Sequence, residues 1–88
     1  MRIIWDDEKN QELKAERGLS FEDFASLILE RKYLDILKNL ARMEKKLFVV
    51  SYQKYTYAVP FVVDDEQNIV LKTVFPSRKY HKLYGGRK

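Results

Sequence analysis

Apolar positions change their spacing near the middle of the chain. Before residue 33 they recur every three or four positions among polar neighbours. From Leu47 on they alternate with polar residues or run together, and β-branched and aromatic types dominate. The first pattern marks helices with one buried stripe, the second strands with a buried face. Arg2 to Trp5 reads as a short first strand. Asp6 or Asp7 can cap the helix that follows, because a short carboxylate accepts from the free N–H groups of the first turn, and Glu8 suits the positive end of that helix. This helix is expected to run to about Arg17, to lie on the surface with Leu13 as its main apolar anchor, and to stop at Gly18, where a left-handed residue is cheapest as glycine. Ser20 caps a second helix, with Asp23 at the position that can reach back to it. Phe21, Phe24, Ala25, Ile28 and Leu29 form its stripe, expected to pack on a sheet and to fray near Lys32.

The stretch from Tyr33 to Lys46 fits either a third helix or an irregular connection. Leu47 to Tyr52 and Tyr55 to Val63 read as strands, joined by Gln53-Lys54, a turn with weak chemistry for the purpose. Pro60 inside the second run implies a bulge or a locally unpaired position. Asp64 to Asn68 is a polar turn; Asp64, Asp65 and Glu66 resemble a metal cluster on paper but fit a solubilising loop better. Ile69 to Phe75 reads as a further strand ended by Pro76, and Tyr80 to Tyr84 as one last helical turn before Gly85-Gly86. The expected fold is therefore α+β: a short N-terminal strand, two helices, then a three-stranded antiparallel meander forming one sheet with helices on one face.

At 88 residues, with 45% apolar and 14% aromatic positions, the chain is expected to form one domain, 1–88, with a real core. It has no cysteine and one histidine, His81, which excludes disulfides, cysteine nucleophiles and a multi-histidine metal site within one chain. No apolar run approaches the roughly 20 residues of a membrane span, and Met1 to Asp7 lacks the apolar core of a signal peptide; a soluble, cytoplasmic protein is expected. The net charge of +4 is unevenly placed. Residues 1–44 hold 8 basic and 10 acidic side chains, residues 45–88 hold 9 and 3, and the last twelve residues carry Arg78, Lys79, Lys82, Arg87 and Lys88 with no acid. Such a patch attracts phosphate backbones, although a solvated basic tail has the same composition.

Several motifs resemble the BrnT-type toxins, a group with a RelE-like fold. Trp5-Asp6-Asp7-Glu8-Lys9-Asn10, Leu13-Lys14 and Arg17-Gly18-Leu19-Ser20-Phe21-Glu22 resemble the opening of that family. Val59-Pro60-Phe61-Val62 and Leu71-Lys72-Thr73-Val74-Phe75-Pro76-Ser77-Arg78-Lys79 resemble its last hairpin and basic exit. Together these cover about 55 of the 88 residues. The resemblance implies a single RelE-like toxin domain that acts as an endoribonuclease on messenger RNA. It also implies a ribbon-helix-helix antitoxin that blocks the site and carries the complex to operator DNA. Two departures stand out: the family's histidine before the glycine is Arg17 here, and Leu34 to Lys46 does not match.

RNA cleavage of that kind needs no metal or cofactor. A ribose 2′-hydroxyl attacks the adjacent phosphorus, and the protein removes a proton, stabilises the phosphorane and protonates the leaving oxygen. Arg78 is the first candidate, as a bidentate phosphate clamp, against a surface arginine that closes a turn. Lys79 is a candidate phosphate contact. Arg17 is a candidate cation, although a cation at a helix end is favourable for structure alone. His81 has the ring suited to proton transfer near neutral pH. Lys9, Lys72, Tyr80 and Lys82 are candidate RNA contacts; Lys9 can instead pair with a carboxylate on its own helix, and Tyr80 and Tyr84 can simply pack. Trp5, Tyr52, Tyr55 and Tyr57 read as core and sheet-packing residues. Two other functions fit the same residues: a module that binds nucleic acid without cutting it, and a degenerate toxin that serves only as a protein-interaction partner.

Overall fold

The computed structural model describes residues 2–38 and 46–85. The elements follow as β1 (Ile3–Trp5), α1 (Asp7–Arg17), α2 (Phe21–Leu29), β2 (Tyr33–Lys38), β3 (Lys46–Tyr52), β4 (Tyr55–Val63), β5 (Ile69–Leu71), β6 (Phe75–Pro76) and α3 (Arg78–Tyr80), then a π-helical turn, His81–Gly85. The fold is α+β. β2, β3, β4 and β5 make an antiparallel meander, β1 joins β5 in parallel at one edge, and β6 pairs with β4.

The helix ends follow the local chemistry. Asp6 is the cap of α1, accepting from the N–H groups of Glu8 at 2.8 Å and Lys9 at 3.3 Å. Gly18 ends α1 at φ 67, donating to the Lys14 carbonyl at 3.1 Å. Ser20 caps α2 through the Asp23 N–H. The Asp23 carboxylate accepts from the Tyr52 hydroxyl at 2.9 Å, which holds the phenol above its usual pKa. Buried Asn10 joins the two helices: its carbonyl accepts from the Phe21 N–H and its amide donates to Glu22, both at 2.9 Å. That hydrogen bond, ahead of the Lys14 charge, lowers the Glu22 pKa.

Four expectations change. Residues 33–38 form a strand, so the meander has four strands rather than three; residues 39–45, the rest of the ambiguous stretch, and Gly86, Arg87 and Lys88 lie outside the described residues. Arg31 ends α2 in a left-handed conformation, φ 59, with the Lys32 N–H closing onto the Leu27 carbonyl at 2.8 Å. A stop of this shape without glycine leaves no punctuation in the sequence.

Second, Leu29 is 64% exposed and leaves the α2 stripe. Phe21, Phe24, Ala25 and Ile28 pack with Phe48, Val50, Val59, Phe61, Leu71 and Val74 on one sheet face. Ring pairs Phe48–Phe61 at 4.4 Å and Phe24–Tyr52 at 4.9 Å fill that layer, and Trp5 packs against it over Phe21.

Third, helices lie on both faces. Val49 and Ala58 are partners across β3 and β4, fully buried yet outside that core. Strand alternation turns them to the opposite face. There the C-terminal helical run packs on β4, and the Tyr84 hydroxyl donates to Asp35 of β2 at 2.9 Å.

Fourth, the last strand is broken. β5 ends at Leu71, and Val74 (1% exposed) instead of Thr73 turns into the core. Pro60 sits in β4 at the resulting gap. Its carbonyl accepts from the Lys72 N–H at 2.9 Å, but proline has no N–H to return to Lys72, so the ladder between β4 and β5 keeps one bond of that pair and stops there.

The hairpin turn Gln53-Lys54 has positive φ at both residues, 50 and 69, as a two-residue type I′ turn requires. Asp64 organises the next turn by accepting from the Glu66 and Asn68 N–H groups at 2.9 and 2.8 Å; the backbone bond from Asn68 is the main cause of its lowered pKa. Among the described residues no helix is long and apolar enough to cross a membrane.

The two helix stops make a matched test. Nothing lies within 4 Å of a Cβ built at Gly18, so Gly18→Ala adds backbone strain alone, about 1 kcal/mol. Arg31→Gly removes a comparable strain. Thermal melts are expected to move in opposite directions, by about 4–8 °C per kcal/mol for a domain of this size.

Candidate functional site

The chain's basic candidates separate into two places. The first is a groove of about 260 Å³ between α1 and the segment that joins β5 to β6. Lys9, Glu12 and Glu16 line it at helical spacing from α1, with Arg17 at the helix end and Lys72, Thr73 and Phe75 opposite; buried Leu13, Phe21 and Val74 close its floor. Three predicted site residues, Lys9, Arg17 and Lys72, thus come together. Two carboxylates share the groove with them, so its charge is mixed. Lys9 does not form the pair considered for it: the ion pairs within 4 Å among the described residues are Lys14–Glu22 and Lys32–Glu30.

The second place is the C-terminal run on the opposite sheet face, which carries Arg78, Lys79, Tyr80, His81 and Lys82. None of these five lines the groove. Ser77 is the hinge. It is buried, its N–H donates to the Thr56 carbonyl at 3.0 Å, its hydroxyl caps α3 through the Tyr80 N–H, and its carbonyl accepts from the His81 N–H at 2.9 Å. Arg78 and Lys79 are exposed, as is Lys82. Neither ion pair above involves them, so their charge stands unneutralised by a carboxylate among the described residues. The Lys79 ammonium lies 5.5 Å from the Tyr80 ring centroid, a cation–π distance.

His81 is the most constrained of the predicted residues. Its Nδ1 is 3.0 Å from the Thr56 hydroxyl, and its ring stacks on Tyr55 with centroids 4.2 Å apart and planes at 23°. The ring is half-buried. Arg78 is three residues from His81 and also three from Phe75 in the groove wall, so its Cα lies within about 11 Å of each. The π-helical geometry of His81–Gly85 is rare and often occurs at functional positions.

Two residues that matter here carry no signal in the sequence. Thr56 and Tyr55 belong to a run of ordinary strand formers, and their partner is 25 or more residues away. Glu12 and Glu16 were equally silent, although their spacing with Lys9 places all three on one helix face. Among the described residues no group of three or more His, Cys, Asp or Glu could hold a metal ion.

No protein-family model matches the sequence, and no curated protein matches it. A solved structure does: the Brucella abortus ribonuclease toxin BrnT, known from a 1.1 Å crystal structure. It superposes with a TM-score of 0.65 over 88% of this chain and 96% of that one, at 20% sequence identity. This chain therefore has a BrnT-like fold.

The Tyr84–Asp35 hydrogen bond is the far anchor of the C-terminal run. Asp35→Ala is expected to lower stability by about 1 kcal/mol and to speed amide exchange in residues 81–85 well above that of β3 and β4, measured by hydrogen–deuterium exchange.

Proposed function

We propose that this protein is the toxin of a type II toxin–antitoxin module: a metal-independent endoribonuclease that cleaves messenger RNA in the cytoplasm and is held inactive by an antitoxin. One observation carries the reading: the fold corresponds to that of a ribonuclease toxin over nearly the whole of that toxin's length. The geometry agrees with it, because the chain's sole histidine and an arginine with no ion pair among the described residues share one short helical run on the face away from α1 and α2.

In the proposed reaction the 2′-hydroxyl attacks the adjacent phosphorus and the P–O5′ bond breaks. The products are a 2′,3′-cyclic phosphate and a 5′-hydroxyl. The Arg78 guanidinium holds two non-bridging oxygens and stabilises charge as the phosphorane forms. Lys79 and Lys82 hold neighbouring phosphates, Tyr80 offers a ring to a base, and His81 transfers the proton. We assign the reacting phosphate to this run instead of to the groove because Glu12 and Glu16 repel a phosphate there, whereas no carboxylate among the described residues pairs with Arg78. Arg17, Lys9 and Lys72 then act at a distance from the reacting phosphorus, as contacts for flanking RNA that passes the β6 edge. The proposed antitoxin is a ribbon-helix-helix protein that covers the cationic run and brings the complex to operator DNA.

Induced expression in a bacterial host tests the reading. The wild type is expected to halt growth and fragment RNA. Arg78→Ala, at equal soluble level, is expected to cut about 10²–10³-fold more slowly and to leave growth normal. If neither protein affects growth or RNA, the enzyme reading fails, and a module that binds nucleic acid without cutting it or one that serves only as a protein-interaction partner takes its place.

A further inference from the structure

We propose that Thr56 is a positioning residue for His81: its hydroxyl fixes the imidazole through Nδ1 and leaves Nε2 as the atom that exchanges a proton with RNA. This rests on the ribonuclease reading and deepens it.

Thr56 is wholly buried, and its neighbours on that face, Ala58 and Val49, are apolar. A valine would fill the same volume without a polar atom. A buried hydroxyl is unfavourable unless it is hydrogen-bonded, and the side-chain partner of this one is His81 Nδ1 at 3.0 Å. The contact closes a loop of three hydrogen bonds: Ser77 N–H to the Thr56 carbonyl, His81 N–H to the Ser77 carbonyl, and Thr56 hydroxyl with the His81 ring. Tyr55 covers one face of the ring. Backbone, ring edge and ring face are thus held together, and the backbone of Arg78, which lies inside the loop, is held with them.

The chemistry follows from the two ring nitrogens. When the hydroxyl accepts from Nδ1–H, Nε2 carries the lone pair of the neutral ring and can take the 2′-hydroxyl proton; the imidazolium so formed keeps the same bond to Thr56 and can return the proton from Nε2 to the leaving 5′-oxygen. A hydroxyl can also donate to Nδ1, so the contact fixes the orientation of the ring, with Nδ1 toward Thr56 and Nε2 left as the working atom.

Three variants of the full chain test this: Thr56→Val, Thr56→Ser and His81→Gln. Folding is checked by thermal melts. Nuclear Overhauser contacts between the His81 and Tyr55 rings report the placement of the imidazole without RNA, and the cleavage rate of a single-stranded RNA reports function. Thr56→Val is expected to weaken those ring contacts and to slow cleavage about 10²-fold at unchanged RNA affinity. Thr56→Ser is expected to restore both, and His81→Gln to match or exceed the loss of rate. A folded Thr56→Val that keeps the wild-type ring contacts overturns the positioning role, and one that loses them but cuts at the wild-type rate overturns the catalytic use of Nε2. If the wild type cuts no RNA, the ribonuclease reading fails together with that use, and the ring contacts still decide whether Thr56 holds the ring.

Discussion

Burial of Val74 takes the chain out of register, and the position of the basic C-terminal run depends on that displacement. Ile69 and Leu71 face the core from β5, so a continuous strand would point Thr73 inward. Instead the chain leaves the ladder after Leu71, exposes Lys72 and Thr73, and buries Val74. Burying a valine is worth about 1.5–3 kcal/mol. Against it stand a few ladder hydrogen bonds, each worth only about 1 kcal/mol net; the Lys72 N–H keeps a partner in Pro60, and solvent reaches Thr73. The shift returns Phe75 and Pro76 to β4 opposite Ala58 and Tyr57. Ser77 then meets Thr56, and the helical run that follows has the far face of the sheet to pack on.

That route separates two kinds of charge. The groove beside α1 holds Lys9, Arg17 and Lys72 with Glu12 and Glu16, a mixed field over an apolar floor. The C-terminal run holds Arg78, Lys79 and Lys82 with no carboxylate paired to them among the described residues. In the proposed reading a phosphodiester is drawn to the second, and the hydrogen-bonded loop of Thr56, Ser77 and His81 gives the backbone that carries this charge a fixed frame. For the proposed reaction preorganisation matters more than charge count, because groups already oriented need no rearrangement as a phosphorane develops.

Much of the first half of the fold was legible. Asp6, Gly18 and Ser20 use short-range chemistry, so each helix boundary they set could be read within a few residues of itself. β2 was hidden because Arg31 ends α2 by a left-handed turn without glycine, and because Leu34 and Ile36 are exposed where a two-residue period would bury them. The break in the last strand was written in the sequence, since Lys72-Thr73 interrupts the alternation before Val74, but its meaning depends on the Val74 packing partners. The cationic exit was visible from charge alone. Thr56 was not, because a threonine among Tyr55, Tyr57 and Ala58 looks like any strand former until the chain folds back and sets His81 against it. The division of Arg17 from Arg78 was equally invisible, because it depends on which sheet face the last helical run occupies.

The central claim is that this chain breaks RNA by internal attack of a 2′-hydroxyl, without a metal. The most direct test is to incubate the purified protein with single-stranded RNA in excess chelator and identify the new ends. The account predicts cleavage undiminished by the chelator, with 2′,3′-cyclic phosphate and 5′-hydroxyl termini. Intact RNA, or chelator-sensitive cleavage that leaves 5′-phosphate and 3′-hydroxyl termini, would contradict it.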